Sequence, residues 1–203
     1  MHLNKTNNRR GFLKTSAATV ILTALPFRAS ALSEQQSVDL INKVIAEVQQ
    51  IINSGKPEAN MLADFEGIFK KYADVATIAR YCLGAPWRNA SSAQQRAYIP
   101  AFQRYISRKY GKQFRSFKGA EIMIIRSRDA GKLGILVEST IDTPSKAPFS
   151  VEWNVSDRSG RPKFINLIIE GISMLATERA EIGAMLESFG GNMDKLVAHL
   201  KSW

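Results

Sequence analysis

Catalysis needs reactive side chains at workable spacing, and this 203-residue chain offers few. Its histidines are His2 and His199, and the second lies near the C-terminus on a predicted outer helix face. One peripheral histidine supplies neither a zinc site nor a Ser-His-Asp relay. Cys82 is the only cysteine, so no internal disulfide forms. It sits in the apolar helical stretch Arg80-Tyr81-Cys82-Leu83 and reads as a buried, inert thiol. Ser173, in Gly171-Ile172-Ser173-Met174-Leu175, lacks the second glycine of a nucleophile elbow. There is no Gly-rich phosphate loop. Asp64 and Glu66 are two apart and diverge on a helix. Glu138 and Glu152 fall on the wet faces of predicted strands. Glu170 and Glu178 flank the last strand, where they either face the cavity mouth or, as the sequence favours, are salt-bridged surface acids. The expectation is no catalytic residue, no metal and no cofactor: not an enzyme.

Two basic constellations remain. Arg104, Arg108, Lys112 and Arg115 follow at steps of four, four and three, with Lys109 beside them, on one face of a predicted helix. They read either as a dock for anionic head groups or an acidic partner, or as a solvated face. The other is Arg9-Arg10, followed by Gly11-Phe12-Leu13-Lys14, a short apolar run from Ala17 to Leu25, and Ala29-Ser30-Ala31. Basic start, short apolar run and small-residue exit make a secretory signal, and the arginine pair selects the twin-arginine variant. The run is too short to span a bilayer, which takes about 20 apolar residues. The expected organisation is a signal over residues 1–31 and one domain over 32–203.

The signal changes how the charge is read. The formal net charge is +10, from 28 basic and 18 acidic residues. Lys5, Arg9, Arg10, Lys14 and Arg28 precede the cleavage site and no acid does. That leaves 23 basic residues against 18 acidic ones, or +5. This is moderately basic, short of a dedicated nucleic-acid binder, and export disfavours nucleic acid further.

The elements that must position a site follow from periodicity. Ser33 and Gln36 form a capping box, and Val38, Ile41, Ile45, Val48 and Ile52 then recur at helical spacing. Gly55-Lys56-Pro57 ends that helix and starts a second with Met61, Phe65, Ile68, Phe69 and Tyr72. Asp74 caps a third, closed by Gly84. Ser91 or Ser92 opens the longest, with Tyr98, Phe102, Tyr105 and Ile106, and Pro100 inside it as a predicted kink. From Gly119 the period becomes two. Glu121 to Arg126, Leu133 to Asp142, Phe149 to Ser156 and Lys163 to Glu170 read as four strands. Helical spacing returns after Gly171, and Asn192 caps a last helix. The order predicts an α+β fold: a curved, four-stranded antiparallel sheet with helices packed on one face.

Between sheet and helices lies the one candidate cavity. Its sheet side would be Ile135, Val137, Val151, Trp153, Val155, Ile165, Leu167 and Ile169. Its helix side would be Phe65, Phe69, Tyr72, Tyr81, Tyr98, Phe102 and Tyr105. Periodicity alone favours a filled core over an open pocket.

Several separated blocks, in order, resemble the MlaC proteins, also called the toluene-tolerance family. They are Asp64-Phe65-Glu66-Gly67-Ile68-Phe69-Lys70-Lys71-Tyr72, Ile78-Ala79-Arg80-Tyr81-Cys82-Leu83-Gly84 with Trp87, and Tyr105-Ile106-Ser107-Arg108-Lys109-Tyr110-Gly111. Asn166-Leu167-Ile168-Ile169-Glu170-Gly171-Ile172-Ser173 and Thr177-Glu178-Arg179-Ala180-Glu181-Ile182 continue the match. The resemblance implies a periplasmic phospholipid carrier, with acyl chains between sheet and helices and the head group toward solvent. The cavity residues above then become a lipid-lined pocket, with phospholipid as cargo rather than cofactor. It implies as partners an outer-membrane lipoprotein complex and an inner-membrane ABC transporter bearing an MCE-domain protein. It also places the chain in the maintenance of outer-membrane lipid asymmetry. A carrier that docks at two membranes fits a monomer. Alternatives are a hopanoid or sterol-like cargo, or an NTF2-like enzyme acting on a small apolar substrate.

Overall fold

Ser33 opens the first helix as its sequence predicts. Its hydroxyl accepts from the Gln36 backbone at 3.1 Å, and its own N–H donates to the Gln36 side chain at 3.0 Å. Helix α1 (Glu34–Ile52) then buries Ile41, Val44, Ile45, Val48 and Ile52. The computed structural model describes residues 1–2, 32–114, 117–144 and 146–203. The rest of the expected signal, and Arg115 of the basic stripe, lie outside the described residues. The chain divides into two units, Met1–Ser30 and Ala31–Trp203, and every element below belongs to the second.

Helix α2 (Glu58–Tyr72) follows Pro57, and α3 (Val75–Leu83) is capped by the Asp74 carboxylate, which accepts from the Thr77 backbone and hydroxyl. A short α4 (Pro86–Asn89), absent from the sequence expectation, precedes α5 (Ser92–Phe114). Ser91 and Gln94 form a second capping box at the start of α5, and the helix runs on through Pro100. After the sheet come α6 (Met174–Ser188), capped by Ser173, and α7 (Met193–Lys201), capped by Asn192.

The sheet is open, antiparallel and five-stranded, in the order β1-β2-β3-β4-β5. Its strands are β1 (Glu121–Asp129), β2 (Ile135–Thr143), β3 (Lys146–Ser156), β4 (Lys163–Ile169) and the two-residue β5 (Ile172–Ser173). Four strands were expected, and β5 is too short for periodicity to reveal. Gly134 lets the chain enter β2 at φ +91°. A Cβ there would sit 2.2 Å from the Val155 carbonyl oxygen, so only glycine allows β2 to close on β3.

The inner face carries Ile135, Val137 and Ile141 of β2 beside Val151, Trp153 and Val155 of β3, all buried. Trp153 donates its indole N–H to the Ser139 hydroxyl at 3.0 Å, which in turn donates to the Val151 carbonyl at 3.1 Å. On the outer face Glu138 and Glu152 stand opposite each other in register. Like charges there repel. Arg126 and Arg128 neutralise them at 2.5 and 2.8 Å.

Candidate functional site

Two small cavities lie where the helices meet β3 and β4. The first, of about 60 Å³, is bounded by Phe69, Ile78, Ile106, Tyr110, Phe164, Ile165, Asn166, Leu167, Met174, Leu175 and Glu178. The second, of about 70 Å³, is bounded by Val44, Val48, Phe65, Ile68, Phe69, Ile106, Ser107, Tyr110, Trp153, Phe164 and Leu167. Phe69, Ile106, Tyr110, Phe164 and Leu167 belong to both. These five side chains make up the partition between the two. A larger hollow of about 570 Å³ between α1 and α2 has Glu47, Lys56, Asp64 and Lys71 on its walls. That rim suits solvent better than hydrocarbon.

Helix α5 supplies Ile106 and Tyr110, one turn apart on one face. Gly111 beside them allows α2 to come close. A Cβ there would meet the Leu62 side chain at 2.8 Å and Phe65 at 3.2 Å. Phe164 reaches the partition through a β-bulge. Val155 pairs with Phe164 but Asn154 pairs with Asn166, so Ile165 is the extra residue. The bulge puts Phe164 and Leu167 on the same inner face.

The structure gathers five of the fifteen expected lining residues around these cavities: Phe65, Phe69, Trp153, Ile165 and Leu167. Ile135, Val137, Val151 and Val155 are buried, and Ile169 is half-buried, but none borders either cavity. Tyr98, Phe102 and Tyr105 lie on the adjoining flank of α5, turned away from the two cavities. Their rings run from Trp87 to Trp203 at centroid spacings of 4.9 to 6.5 Å. Tyr72 turns to α1, donating to Glu47 at 2.6 Å. Tyr81 is 44% exposed, with the Arg179 guanidinium 4.9 Å from its ring centroid. The inward face of α3 is instead Ile78, Ala79, Cys82 and Leu83.

Of the two readings that the sequence leaves for Glu178, surface acid or group at the cavity mouth, the structure matches neither fully: the residue is salt-bridged, yet it is 2% exposed and walls the first cavity. Its Oε1 accepts 2.6 Å bonds from the Lys109 ammonium and from the Tyr110 hydroxyl. Lys109 also reaches Glu181 at 2.5 Å, and Tyr105 donates to Glu181 at 3.0 Å. Burial opposes the Lys109 charge, but its two carboxylate partners outweigh burial and raise its pKa. Burial likewise works against the Glu181 charge, and Lys109 and Tyr105 overcome it, lowering that pKa. Burial pushes the Tyr105 and Tyr110 hydroxyls well above the usual phenol range. The only sequence signal was spacing: Lys109-Tyr110 on one helix, and Glu178 with Glu181 three apart on another.

The basic stripe is partly spent within the fold. The Arg104 guanidinium donates to the backbone oxygens of Lys201 and Trp203 at 3.1 and 3.0 Å, and the Lys112 ammonium lies 5.6 Å from the Trp203 ring centroid. Both pin the chain beyond α7. Arg108 buries a guanidinium nitrogen that has no partner among the described residues. Ser173 and Asn166 hydrogen-bond each other, and Asn166 accepts from the Leu175 backbone at 2.9 Å. That is capping, not nucleophile activation. Burial pushes the Cys82 thiol up to about 12. No cluster of metal-ligating side chains occurs, and no helix is long and apolar enough to cross a membrane, among the described residues.

The fold is shared with a phospholipid-binding protein from Ralstonia solanacearum whose structure was solved in complex with a phospholipid. The two superpose with a TM-score of 0.68, covering 82% of this chain and 96% of that one, at 18% identity. At that identity the likeness is one of fold. A family model described as MlaC protein matches residues 42–202, and the chain therefore belongs to the MlaC family.

Proposed function

We propose that this protein is a periplasmic carrier that takes up a phospholipid between its sheet and its helices. It exchanges the lipid with an outer-membrane lipoprotein complex and an inner-membrane ABC transporter bearing an MCE-domain protein, and so helps maintain outer-membrane asymmetry. The observation that carries the reading is the pair of apolar cavities divided by five side chains. Each is smaller than the ~150 Å³ that accommodates benzene. An acyl chain therefore enters only by displacing the partition. The gain is sufficient: each buried CH₂ contributes ~0.8 kcal/mol, on the order of 12 kcal/mol gross for a 16-carbon chain. Release then needs a partner that opens the space or offers another apolar site. Membership in the MlaC family and a fold shared with a phospholipid-containing structure support the same cargo.

Native mass spectrometry of the purified mature protein, followed by lipid extraction, tests this. Co-purified phospholipid is expected. A hopanoid would replace the cargo and keep the carrier. No lipid, and no uptake from phospholipid vesicles, would sink the proposal. One observation favours a second reading: the buried Glu178 carboxylate is the kind of group an enzyme on a small apolar substrate needs. A mass change in the bound molecule with time would support that reading, whereas a carrier returns its lipid unaltered.

A further inference from the structure

The Oε2 atom of Glu178 is buried and has no hydrogen-bond partner among the described residues. Buried polar groups are paired as a rule. Three buried side-chain atoms break the rule among the described residues, namely this one, the Tyr98 hydroxyl and a guanidinium nitrogen of Arg108, and of the three residues only Glu178 walls either of the two apolar cavities. A tie between α5 and α6 does not require this oxygen. Lys109 already reaches Glu181, whose side chain is 41% exposed and less costly to keep charged. Glu178 instead sits 2% exposed in the wall of the first cavity, among Ile78, Ile106, Leu167 and Leu175.

An ionised carboxylate only accepts, so any partner of Oε2 must donate. Two carboxylates, Glu178 and Glu181, face one ammonium, Lys109. By formal charge the cluster holds one carboxylate more than it holds ammonium groups. It favours a cation over a neutral donor, and either over a phosphate or carboxylate. We propose that Glu178 is a specificity residue of the cavity, accepting a hydrogen bond from an ammonium or hydroxyl group carried by the bound amphiphile. The carbon part of the ligand lies against the apolar remainder of the wall. This rests on the carrier reading, because the donor must arrive on a chain that the cavity holds.

The test is displacement of dansylundecanoate from the mature protein at pH 7 by dodecylamine, dodecanol and dodecanoate. These share one chain length and differ only at the polar end. A charge-assisted hydrogen bond predicts that the amine displaces the probe at about tenfold lower concentration than the carboxylate, with the alcohol between. Glu178→Gln keeps the side-chain size and removes the charge, and should bring amine and carboxylate to similar concentrations. Equal displacement by the wild type, or an unchanged order in the variant, would overturn the proposal. The wild-type series decides alone if the variant does not fold. Phospholipid in the native spectrum with equal displacement refutes this proposal only. No lipid and no binding of any probe refutes the carrier reading along with it.

Discussion

Phe164→Ala tests the partition directly. The ring is 5% exposed, borders both cavities, and lies 6.0 Å from both the Phe69 and the Trp153 ring centroids. Truncating a buried phenylalanine costs ~3–5 kcal/mol. This ring already touches two voids, so it gives up fewer contacts and should fall near the lower end, about 3 kcal/mol. For a folded part of this size each kcal/mol shifts Tm by ~2–4 °C, which predicts a fall of ~6–12 °C without ligand. The same truncation joins the two cavities and removes a side chain that an acyl chain must otherwise push aside. Binding should therefore improve while stability falls. Calorimetric scans with and without a saturating alkyl probe read both effects, because a tighter ligand raises Tm further. The variant should recover more of its Tm on ligand addition than the wild type gains. If stability and binding fall together, Phe164 is an ordinary wall contact and the two cavities do not merge into one site.

Gly134→Ala should cost ~3 kcal/mol or prevent folding, since its Cβ meets the Val155 backbone. Gly160→Ala, at φ +92° with nothing within 4 Å, should cost only ~1 kcal/mol, and denaturant titration of both separates clash from backbone strain. Acid should loosen the fold through Glu47 and Glu181. Hydrogen bonds to Lys71 and Tyr72 lower the Glu47 pKa, and those to Lys109 and Tyr105 overcome burial to lower that of Glu181. Folded values below 4.5 mean that their contribution is present above that pH and is lost as pH falls through the folded pKa. A Glu47→Gln/Glu181→Gln variant should accordingly lose less Tm than the wild type between about pH 5 and 3. Cys82, 1% exposed with its thiol pushed up to about 12, should resist iodoacetamide at pH 8 until denaturant is added. Changing Arg9-Arg10 to a lysine pair should leave the precursor in the cytoplasm on fractionation, and normal export would refute the signal.

Local signals were the legible ones. The capping box at Ser33, the caps at Asp74 and Asn192, the change of period at Gly119 and the inner faces of β2 and β3 are all written in neighbouring residues. Where two elements must be set against each other, the sequence was mute. Strict alternation places Ile165 inward. The bulge between Asn154 and Val155 brings Phe164 inward as well, so that Phe164 and Ile165 both border the first cavity. Helical spacing shows that α5 is apolar on more than one side. It does not say that Ile106 and Tyr110 look at the sheet while Tyr98, Phe102 and Tyr105 look toward Trp87 and Trp203. Glu178 illustrates the same limit. A glutamate is read as exposed by default, and only the approach of α5 to α6 shows that Lys109 and Tyr110 are there to receive it.

The strand order has a kinetic consequence. Each strand pairs only with its neighbours in sequence, so the sheet can form hairpin by hairpin with little loop-closure entropy at each step. One closure is of a different kind. Ala73 bridges to Phe164 across the chain, the Asp74 N–H donates to the Phe164 carbonyl at 3.0 Å, and the Lys163 ammonium donates to the Ala73 carbonyl at 3.0 Å. That stitch joins the α2–α3 corner to β4 at the residue dividing the two cavities. It spans some ninety residues, so it forms late, and folding rates should respond to mutations there less than unfolding rates do. The cavity region would then be the last part to assemble and the first to open.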